Sequence, residues 1–245
     1  MVGEFAGKVA LVVGGSRGVG RAYTLGLARA GAQVAAISRN LELEELHASQ
    51  KEAKNLGIEP GPPIFGFGVN ITKADQIEHA VERVLSEFGR IDILVYNAAG
   101  YRLVKPFEAS EKDWDLSFNL NVRAPYKFIQ MIAPQMMQRK SGNIILLSTR
   151  ASLAVPFEDA SHDLNLAYGV SKAALNRLGT YFSEELKSHG VAVNILSPGK
   201  VDELAEGREP TVEQFAPPLL HLAKQTPDTL TGQWRNTTDF GVAWP

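Results

Sequence analysis

The feature that most constrains the fold is a run of five consecutive apolar residues near the start of the chain, Val9 to Val13, which ends at a pair of glycines. A strand that is apolar on both faces is typical of a parallel sheet covered by helices on both sides. The next segment, Arg21 to Ala30, is predicted to be a helix that ends at Gly31, and Gln33 to Ile37 is predicted to be a second buried strand. Together these segments predict a β-α-β unit.

The alternation of strands and helices continues to the end of the chain. Further strands are predicted at Ile64 to Val69, Ile91 to Tyr96, Ile144 to Leu147, Ala192 to Leu196 and Gln233 to Asp239, and further helices at Leu41 to Leu56, Asp75 to Phe88, Glu111 to Gln138, around Tyr168, and at Val212 to Lys224. Pro125 and Pro134 are expected to kink or break the long helix. No linker divides the chain, so residues 1–245 are predicted to form one α/β domain with a doubly wound parallel sheet of about seven strands, flanked by helices on both faces.

Composition excludes several classes of function. The chain has 245 residues, 44% of them hydrophobic, and a formal net charge of −2, which predicts a globular protein without a nucleic-acid partner. It has no cysteine, so disulfides and thiolate chemistry are excluded. No secretion signal or apolar run of about 18 residues is evident. We expect a cytoplasmic protein that does not enter the membrane.

A glycine-rich loop, Gly14-Gly15-Ser16-Arg17-Gly18-Val19-Gly20, follows the first predicted strand. Ligands of open parallel sheets bind beyond the carboxyl ends of the strands, and glycines there let a pyrophosphate reach the N-terminus of a helix. Tight turns also use glycine, but the position of this loop favours nucleotide binding.

A tyrosine and a lysine, Tyr168 and Lys172, lie four residues apart in a predicted helix and therefore share one helix face. The lysine charge would favour the phenolate and so suit the tyrosine to acid/base chemistry. The same spacing occurs on many surface helices, so the pair is weak evidence by itself.

These motifs together resemble the short-chain dehydrogenase/reductase family. Its T-G-x-x-x-G-x-G motif is similar to Val13–Gly20, its N-N-A-G motif to Tyr96–Ala99, its N-L-x-G context to Asn119–Val122, its Y-x-x-x-K motif to Tyr168–Lys172, and its P-G motif to Pro198-Gly199. The matches occur in the order of the family and extend over about residues 8 to 240. The resemblance implies a Rossmann-type fold, a nicotinamide cofactor and a homodimer or homotetramer.

The resemblance also implies which residues bind the cofactor. They are Gly14, Ser16, Arg17, Gly18, Val19, Gly20, Ser38, Arg39, Asn70, Ile71, Asn97, Ala98, Tyr168, Lys172, Pro198, Gly199 and Val201. At the end of the second strand an acidic residue usually binds the ribose of NAD, but this chain has Ser38. Arg39 and Arg17 could instead bind a 2′-phosphate, so NADP(H) is favoured, although both arginines could simply be solvated. Asn70 is expected to accept a hydrogen bond from the adenine amino group.

The catalytic residues implied by the resemblance are Asn119, Thr149, Tyr168 and Lys172. Tyr168 would be the general acid in carbonyl reduction and the base in alcohol oxidation, and Lys172 would lower its pKa and bind the nicotinamide ribose. Asn119 would anchor a water next to Lys172. Thr149 stands where the family has a substrate-orienting serine, and Ser148 is an alternative.

The chain departs from the family in two places. The distance from Thr149 to Tyr168 is longer than usual, which indicates an insertion over residues 156–165 that either contacts substrate or forms a solvated loop. His162 in this insertion lacks partner ligands, so no metal site is predicted. After Gly199 the run Lys200-Val201-Asp202-Glu203 lacks the threonine that contacts the carboxamide in the family, so the backbone of Val201 is expected to hold it.

Three functions are compatible with these residues. The leading one is an NADP(H)-dependent carbonyl reductase or alcohol dehydrogenase acting on a small molecule. An epimerase or dehydratase is disfavoured by the compact C-terminal portion, and a sensor or scaffold that binds NADP(H) without turnover is the alternative from another class. The predicted pocket walls are Tyr101, Arg102, Arg150, residues 156–165 and Trp234, and they select no particular substrate.

Overall fold

The computed structural model describes residues 3–40, 43–100, 102, 104–154, 166–199, 201 and 207–244. It contains the predicted parallel sheet of seven strands, in the order β3-β2-β1-β4-β5-β6-β7. The strands are β1 (Val9–Val13), β2 (Gln33–Ser38), β3 (Phe65–Gly68), β4 (Ile93–Tyr96), β5 (Gly142–Leu147), β6 (Val191–Ser197) and β7 (Trp234–Asn236). The doubly wound fold predicted from the sequence is confirmed.

The helices also follow the predictions, with one difference in the long helix. They are α1 (Gly18–Arg29), α2 (Leu43–Asn55), α3 (Ala74–Phe88), α4 (Glu111–Phe118), α5 (Ala124–Arg139), α6 (Leu166–Lys187) and α7 (Val212–Ala223). The predicted start of α2 at Leu41 lies outside the described residues. Between α4 and α5 the chain does not break but forms a π-helical turn, Asn119–Arg123, directly before Pro125, and α5 continues through Pro134.

The sheet has an apolar core on each face. Leu11 and Val13 point into the core formed with α3, α5 and α6, whereas Ala10 and Val12 point into the core formed with α1, α2 and α7. Successive strand residues face opposite sides of a sheet, which is why an uninterrupted apolar run is needed here.

The strand order reverses between β1 and β4, which are paired in parallel with Val13 opposite Tyr96. Crevices for ligands form beyond the carboxyl ends of the strands at such a reversal. The loops that follow β1, β4 and β5 carry the predicted motifs and therefore define the candidate site.

Candidate functional site

The glycine loop passes very close to the segment that follows β4. A Cβ atom on Gly14, whose φ is +80°, would lie 2.7 Å from the backbone nitrogen of Ala98, and one on Gly20 would lie 2.0 Å from the carbonyl oxygen of Gly14. The side chain of Asn97 donates to the Gly14 carbonyl at 2.9 Å. Only glycine fits these two positions, and the result is a loop whose backbone lies against the N-terminus of α1.

That N-terminus already has an anionic partner. The carboxylate of Glu209 accepts a hydrogen bond from the backbone N–H of Gly18 at 2.9 Å. The N-cap residue, Arg17, provides no side-chain cap, and the first turn of α1 contains no acidic residue. Glu209 thus places a negative charge at the N-terminus of α1, where it interacts favourably with the helix dipole. Sequence reasoning missed this residue.

A cleft of about 360 Å³ opens at the carboxyl end of β2. Its lining combines two arginines, two serines, an asparagine and two glutamates: Ser16, Arg17, Ser38, Arg39, Asn40, Glu45 and Glu209. The hydroxyl of Ser38 donates to that of Ser16 at 2.8 Å, so the end of β2 is joined to the glycine loop. The predicted 2′-phosphate residues therefore share one cleft. Its two guanidinium groups could contact an anionic ligand, although two glutamates line the same cleft.

Two predicted adenine-side residues are engaged elsewhere in the described structure. The amide oxygen of Asn70 accepts hydrogen bonds from the N–H and the hydroxyl of Thr72, at 3.1 and 2.8 Å. The acceptor expected to face adenine thus already closes a turn of the protein backbone. The side chain of Ile71 packs in the core, so only its backbone is available to a ligand.

The tyrosine–lysine pair lies where α6 meets the turn that follows β5. A Cβ atom on Gly169 would lie 2.9 Å from the carbonyl oxygen of Ala151, so this glycine allows α6 to approach the turn Arg150–Ser152 closely. Tyr168, directly before the glycine, is partly exposed, and its ring centroid is 5.8 Å from Nζ of Lys172. The helix spacing predicted from the sequence brings the two groups together as expected.

Lys172 is buried, with only 1% of its surface exposed. Its Nζ donates to the carbonyl oxygen of Leu147, the last residue of β5, at 2.6 Å. Burial lowers the pKa of Lys172 to about 7, because an ammonium group loses hydration there. Near neutral pH the lysine can therefore exist in both its charged and its neutral form.

The two candidate substrate-orienting hydroxyls differ in exposure. Ser148 is buried and donates to the hydroxyl of Ser152 at 3.2 Å. Thr149 is partly exposed, and its Oγ1 accepts from the N–H of Ala151 at 3.3 Å, which leaves the hydroxyl proton available for donation. The structure therefore favours Thr149 over Ser148 as the group that could meet a substrate.

The structure places the predicted helical asparagine, Asn119, and its neighbour Asn121 in different surroundings. The side chain of Asn119 accepts a hydrogen bond from Arg123 at 2.9 Å in an exposed pair. Asn121 is fully buried instead, and its amide donates to the hydroxyl of Ser171 on α6 at 2.9 Å. The same amide also bonds both the N–H and the carbonyl of Gly100, each at 3.2 Å. Asn121, and not Asn119, thus joins the end of β4 to the helix that carries Tyr168 and Lys172.

One sequence signal could have identified Asn121. The family pattern N-L-x-G places a small residue three positions after the asparagine. Asn121 is followed at that distance by Ala124, whereas Asn119 is followed by the branched Val122.

Several other predicted residues make structural contacts, and the rest lie outside the described part of the chain. Gly199 has a φ of +77° and turns the chain after β6, and Val201 packs against the core on the α1 side. Trp234 packs against the opposite core. Arg102 lies 3.8 Å from the carboxylate of Asp113. The other predicted contacts, Tyr101, residues 156–165, Lys200, Asp202 and Glu203, lie outside the described residues.

Two kinds of site are absent from the part of the chain that the structure describes. Within it, no three His, Cys, Asp or Glu side chains are grouped so that they could hold a metal ion. None of its helices has the length and apolar character that a membrane span requires.

Comparison with known proteins agrees with this geometry. The family model for short chain dehydrogenases matches residues 8–212. The 3-oxoacyl-[acyl-carrier-protein] reductase FabG of Thermotoga maritima is 31% identical in an alignment of 244 positions that covers 93% of this chain and 94% of the relative. The crystal structure of a metagenomic short-chain oxidoreductase in complex with NADP is 30% identical, with a TM-score of 0.77 over 95% of this chain and 98% of that one.

A second solved structure, an NADH-dependent reductase complexed with NAD, shares the fold, with a TM-score of 0.79 at 23% identity over 96% of this chain and 97% of that one. Solved structures of this fold thus include complexes with either nicotinamide cofactor. On the evidence of the matched family model and of relatives at this identity, the chain belongs to the short-chain dehydrogenase/reductase family of oxidoreductases.

Proposed function

We propose that this chain is an NADP(H)-dependent oxidoreductase that transfers hydride between the nicotinamide and a carbonyl or secondary alcohol of a small molecule. Tyr168 is the general acid/base in this proposal. The observation that carries it is the junction of α6 with the turn after β5. There a partly exposed tyrosine lies next to a buried lysine, and an accessible hydroxyl, Thr149, precedes the turn.

The described residues support a division of labour in the reaction. The bound cofactor supplies or accepts the hydride. Tyr168 donates its phenolic proton to the substrate oxygen in reduction and accepts it in oxidation. Thr149 donates a hydrogen bond to the same oxygen and so orients the carbonyl. Lys172, held by Leu147, favours the phenolate through its charge.

Asn121 replaces Asn119 as the helical asparagine of the proposed site, with a positioning role. Its amide bonds Ser171, whose hydroxyl in turn donates to the backbone carbonyl of Tyr168 at 2.7 Å. This chain of hydrogen bonds supports the view that Asn121 fixes the first turn of α6 and keeps Tyr168 and Lys172 oriented.

The preference for NADP(H) is supported by the cleft at the end of β2. An acidic residue that could bind the ribose hydroxyls of NAD is replaced there by Ser38, and Arg17 and Arg39 line the same cleft. A relative 30% identical was solved with NADP, and we extend that cofactor to this chain. The chain's own two glutamates, Glu45 and Glu209, place negative charge in the cleft, so the arginines must outweigh them.

The proposal is tested by following the loss of NADPH absorbance with a panel of ketones and quinones. We expect turnover by the wild-type protein and its loss in Tyr168→Phe, with NADPH affinity nearly unchanged. Tyr181→Phe is the matched control, because Tyr181 lies on the same helix, is 64% exposed and contacts Arg177. That variant should keep full turnover.

The test separates the proposal from its main alternative. If NADPH binds but no carbonyl compound oxidises it, the chain is a sensor or scaffold that binds NADP(H) without turnover. If Tyr168→Phe turns over as fast as Tyr181→Phe, the role of Tyr168 is wrong.

We also propose that residues 1–245 act as one cofactor-binding domain in a homodimer or homotetramer. Size-exclusion chromatography would test the oligomeric state.

A further inference from the structure

The carbonyl of Leu120 is an acceptor for which its own helix supplies no donor. In the π-helical turn, the N–H of Ala124 donates to the carbonyl of Asn119, five residues earlier. The next donor in this register would come from Pro125 and would serve Leu120, but proline has no N–H. The prolines of the long helix were expected to kink or break it, and the structure instead has a change of register that leaves one carbonyl to be satisfied from outside.

Tyr96 provides the missing donor. Its hydroxyl donates to the carbonyl oxygen of Leu120 at 2.5 Å. The side chain is fully buried at the end of β4, where its ring packs against Phe128 with 5.9 Å between centroids. Burial raises the pKa of Tyr96, so the hydroxyl remains a neutral donor. In the family this chain resembles, the same position is an asparagine.

The π turn determines where Asn121 points. One residue added to a helix rotates the side chains on either side of it by about 100° relative to each other. Asn121 lies within this turn and reaches both Ser171 and Gly100. Gly100 follows Tyr96 by four residues, so the segment after β4 holds the turn at two points. Turns of this kind frequently occur at functional sites.

We propose that Tyr96 is a positioning residue, whose hydroxyl keeps the π turn in register and thereby aims Asn121 at Ser171 and the helix of Tyr168. Its effect on turnover rests on the proposed function. Its effect on the π turn does not, and the two can be measured separately.

The test compares two buried tyrosines that lose only a hydroxyl. Tyr96→Phe should lower kcat about tenfold, because the Leu120 carbonyl is left without a donor, while the KM for NADPH stays within about twofold. Tyr23→Phe is the control, because Tyr23 is equally buried but its hydroxyl has no hydrogen-bond partner. That variant should keep the wild-type kcat.

A second substitution tests the mechanism by rescue. Pro125→Ala supplies an N–H that can donate to the Leu120 carbonyl, so the double variant Tyr96→Phe/Pro125→Ala should recover most of the lost kcat. Pro125→Ala alone should remain near the wild-type value. A loss in Tyr96→Phe that the second substitution fails to restore would overturn the proposal, since the loss would then arise elsewhere.

Hydrogen exchange of the amides of residues 119–124 provides a readout that needs no turnover. It should be faster in Tyr96→Phe than in Tyr23→Phe and slow again in the double variant. Equal exchange in the two single variants would refute the role of Tyr96 even in an active enzyme. If the wild-type protein reduces no carbonyl, the proposed function fails, and the exchange data still decide whether Tyr96 holds the turn.

Discussion

The carboxylate of Glu209 caps α1 by accepting from the backbone N–H of Gly18 at 2.9 Å, although 191 residues separate the two in the sequence. This is the helix N-terminus to which the glycine loop is predicted to admit the pyrophosphate of the cofactor. A pyrophosphate bound there would compete with Glu209 for these N–H groups. We therefore expect the contact to stabilise the cofactor-free protein and to oppose cofactor binding.

Removing the charge of Glu209 should have opposite effects on the two states. In Glu209→Gln we expect NADPH to bind about three- to fivefold more tightly, because a charge at a helix N-terminus contributes up to about 1 kcal/mol. The cofactor-free protein should unfold at a slightly lower temperature, because the N-terminus of α1 loses this stabilising charge. Fluorescence titration with NADPH and thermal unfolding without cofactor measure the two effects.

The control for this variant is Glu213→Gln. Glu213 is also an exposed glutamate near α1, but it pairs with Arg29 at 2.7 Å and does not line the cleft. Its loss should leave the Kd for NADPH unchanged. Equal affinities in the two variants would mean that Glu209 does not compete with the cofactor.

The two asparagines of the π turn give a second prediction. Asn121→Ala should lower kcat at least about tenfold, because the buried amide that joins Gly100 to Ser171 is removed. Asn119→Ala should stay within about twofold of the wild type, because that side chain bonds only the exposed Arg123 among the described contacts. The reverse order of the two kcat values would restore the role first assigned to Asn119. Circular dichroism at the assay temperature confirms that both variants are folded.

The sequence predicted best those features that depend on local spacing. The strands appear where the sequence has apolar runs, and Tyr168 meets Lys172 because a helix brings residues four apart onto one face. Gly14 and Gly20 were recognised from the glycine spacing of the loop after the first strand, and in the structure close backbone approach excludes any side chain there. In each case the physical cause lies within a few residues of the motif.

The features that escaped prediction depend on register or on distant parts of the chain. A regular helix gives no reason to prefer Asn121 over Asn119, because the π turn that buries Asn121 and leaves Asn119 partly exposed is held by a hydroxyl donated by Tyr96, a residue distant in the sequence. Glu209 lies in a charged loop, and no local pattern shows that its carboxylate will reach Gly18.

Cofactor preference gives a third prediction. In Arg39→Asp the preference for NADPH over NADH should fall about 10- to 100-fold, because hydrogen bonds to charged groups contribute about 1.5–3 kcal/mol and the new carboxylate would repel a 2′-phosphate. The ratio of kcat/KM for the two cofactors measures the change. Lys51→Asp, on the exposed side of α2, changes the net charge equally and should leave the ratio as it is. An unchanged ratio in Arg39→Asp would place the 2′-phosphate elsewhere.

The buried ammonium group of Lys172 gives a fourth prediction, on stability and pH. Its pKa falls from 10.5 to about 7 in the folded protein, so between these values the unfolded chain binds more protons than the folded one. The free energy of unfolding should therefore rise with pH in this range, by up to about 1.4 kcal/mol per pH unit. Urea unfolding of the cofactor-free protein at several pH values between 7 and 9.5 measures the slope.

Lys172→Met should remove this slope, because methionine fills the buried space without a titrating group. Lys187→Met, an exposed lysine at the end of the same helix, should keep it. The range stops below pH 10 because burial raises the pKa values of Tyr23 and Tyr96. Ionisation of these tyrosines in the unfolded chain lowers stability above that pH. A wild-type slope that persists in Lys172→Met would show that another group carries the proton, and that Lys172 remains charged in its pocket.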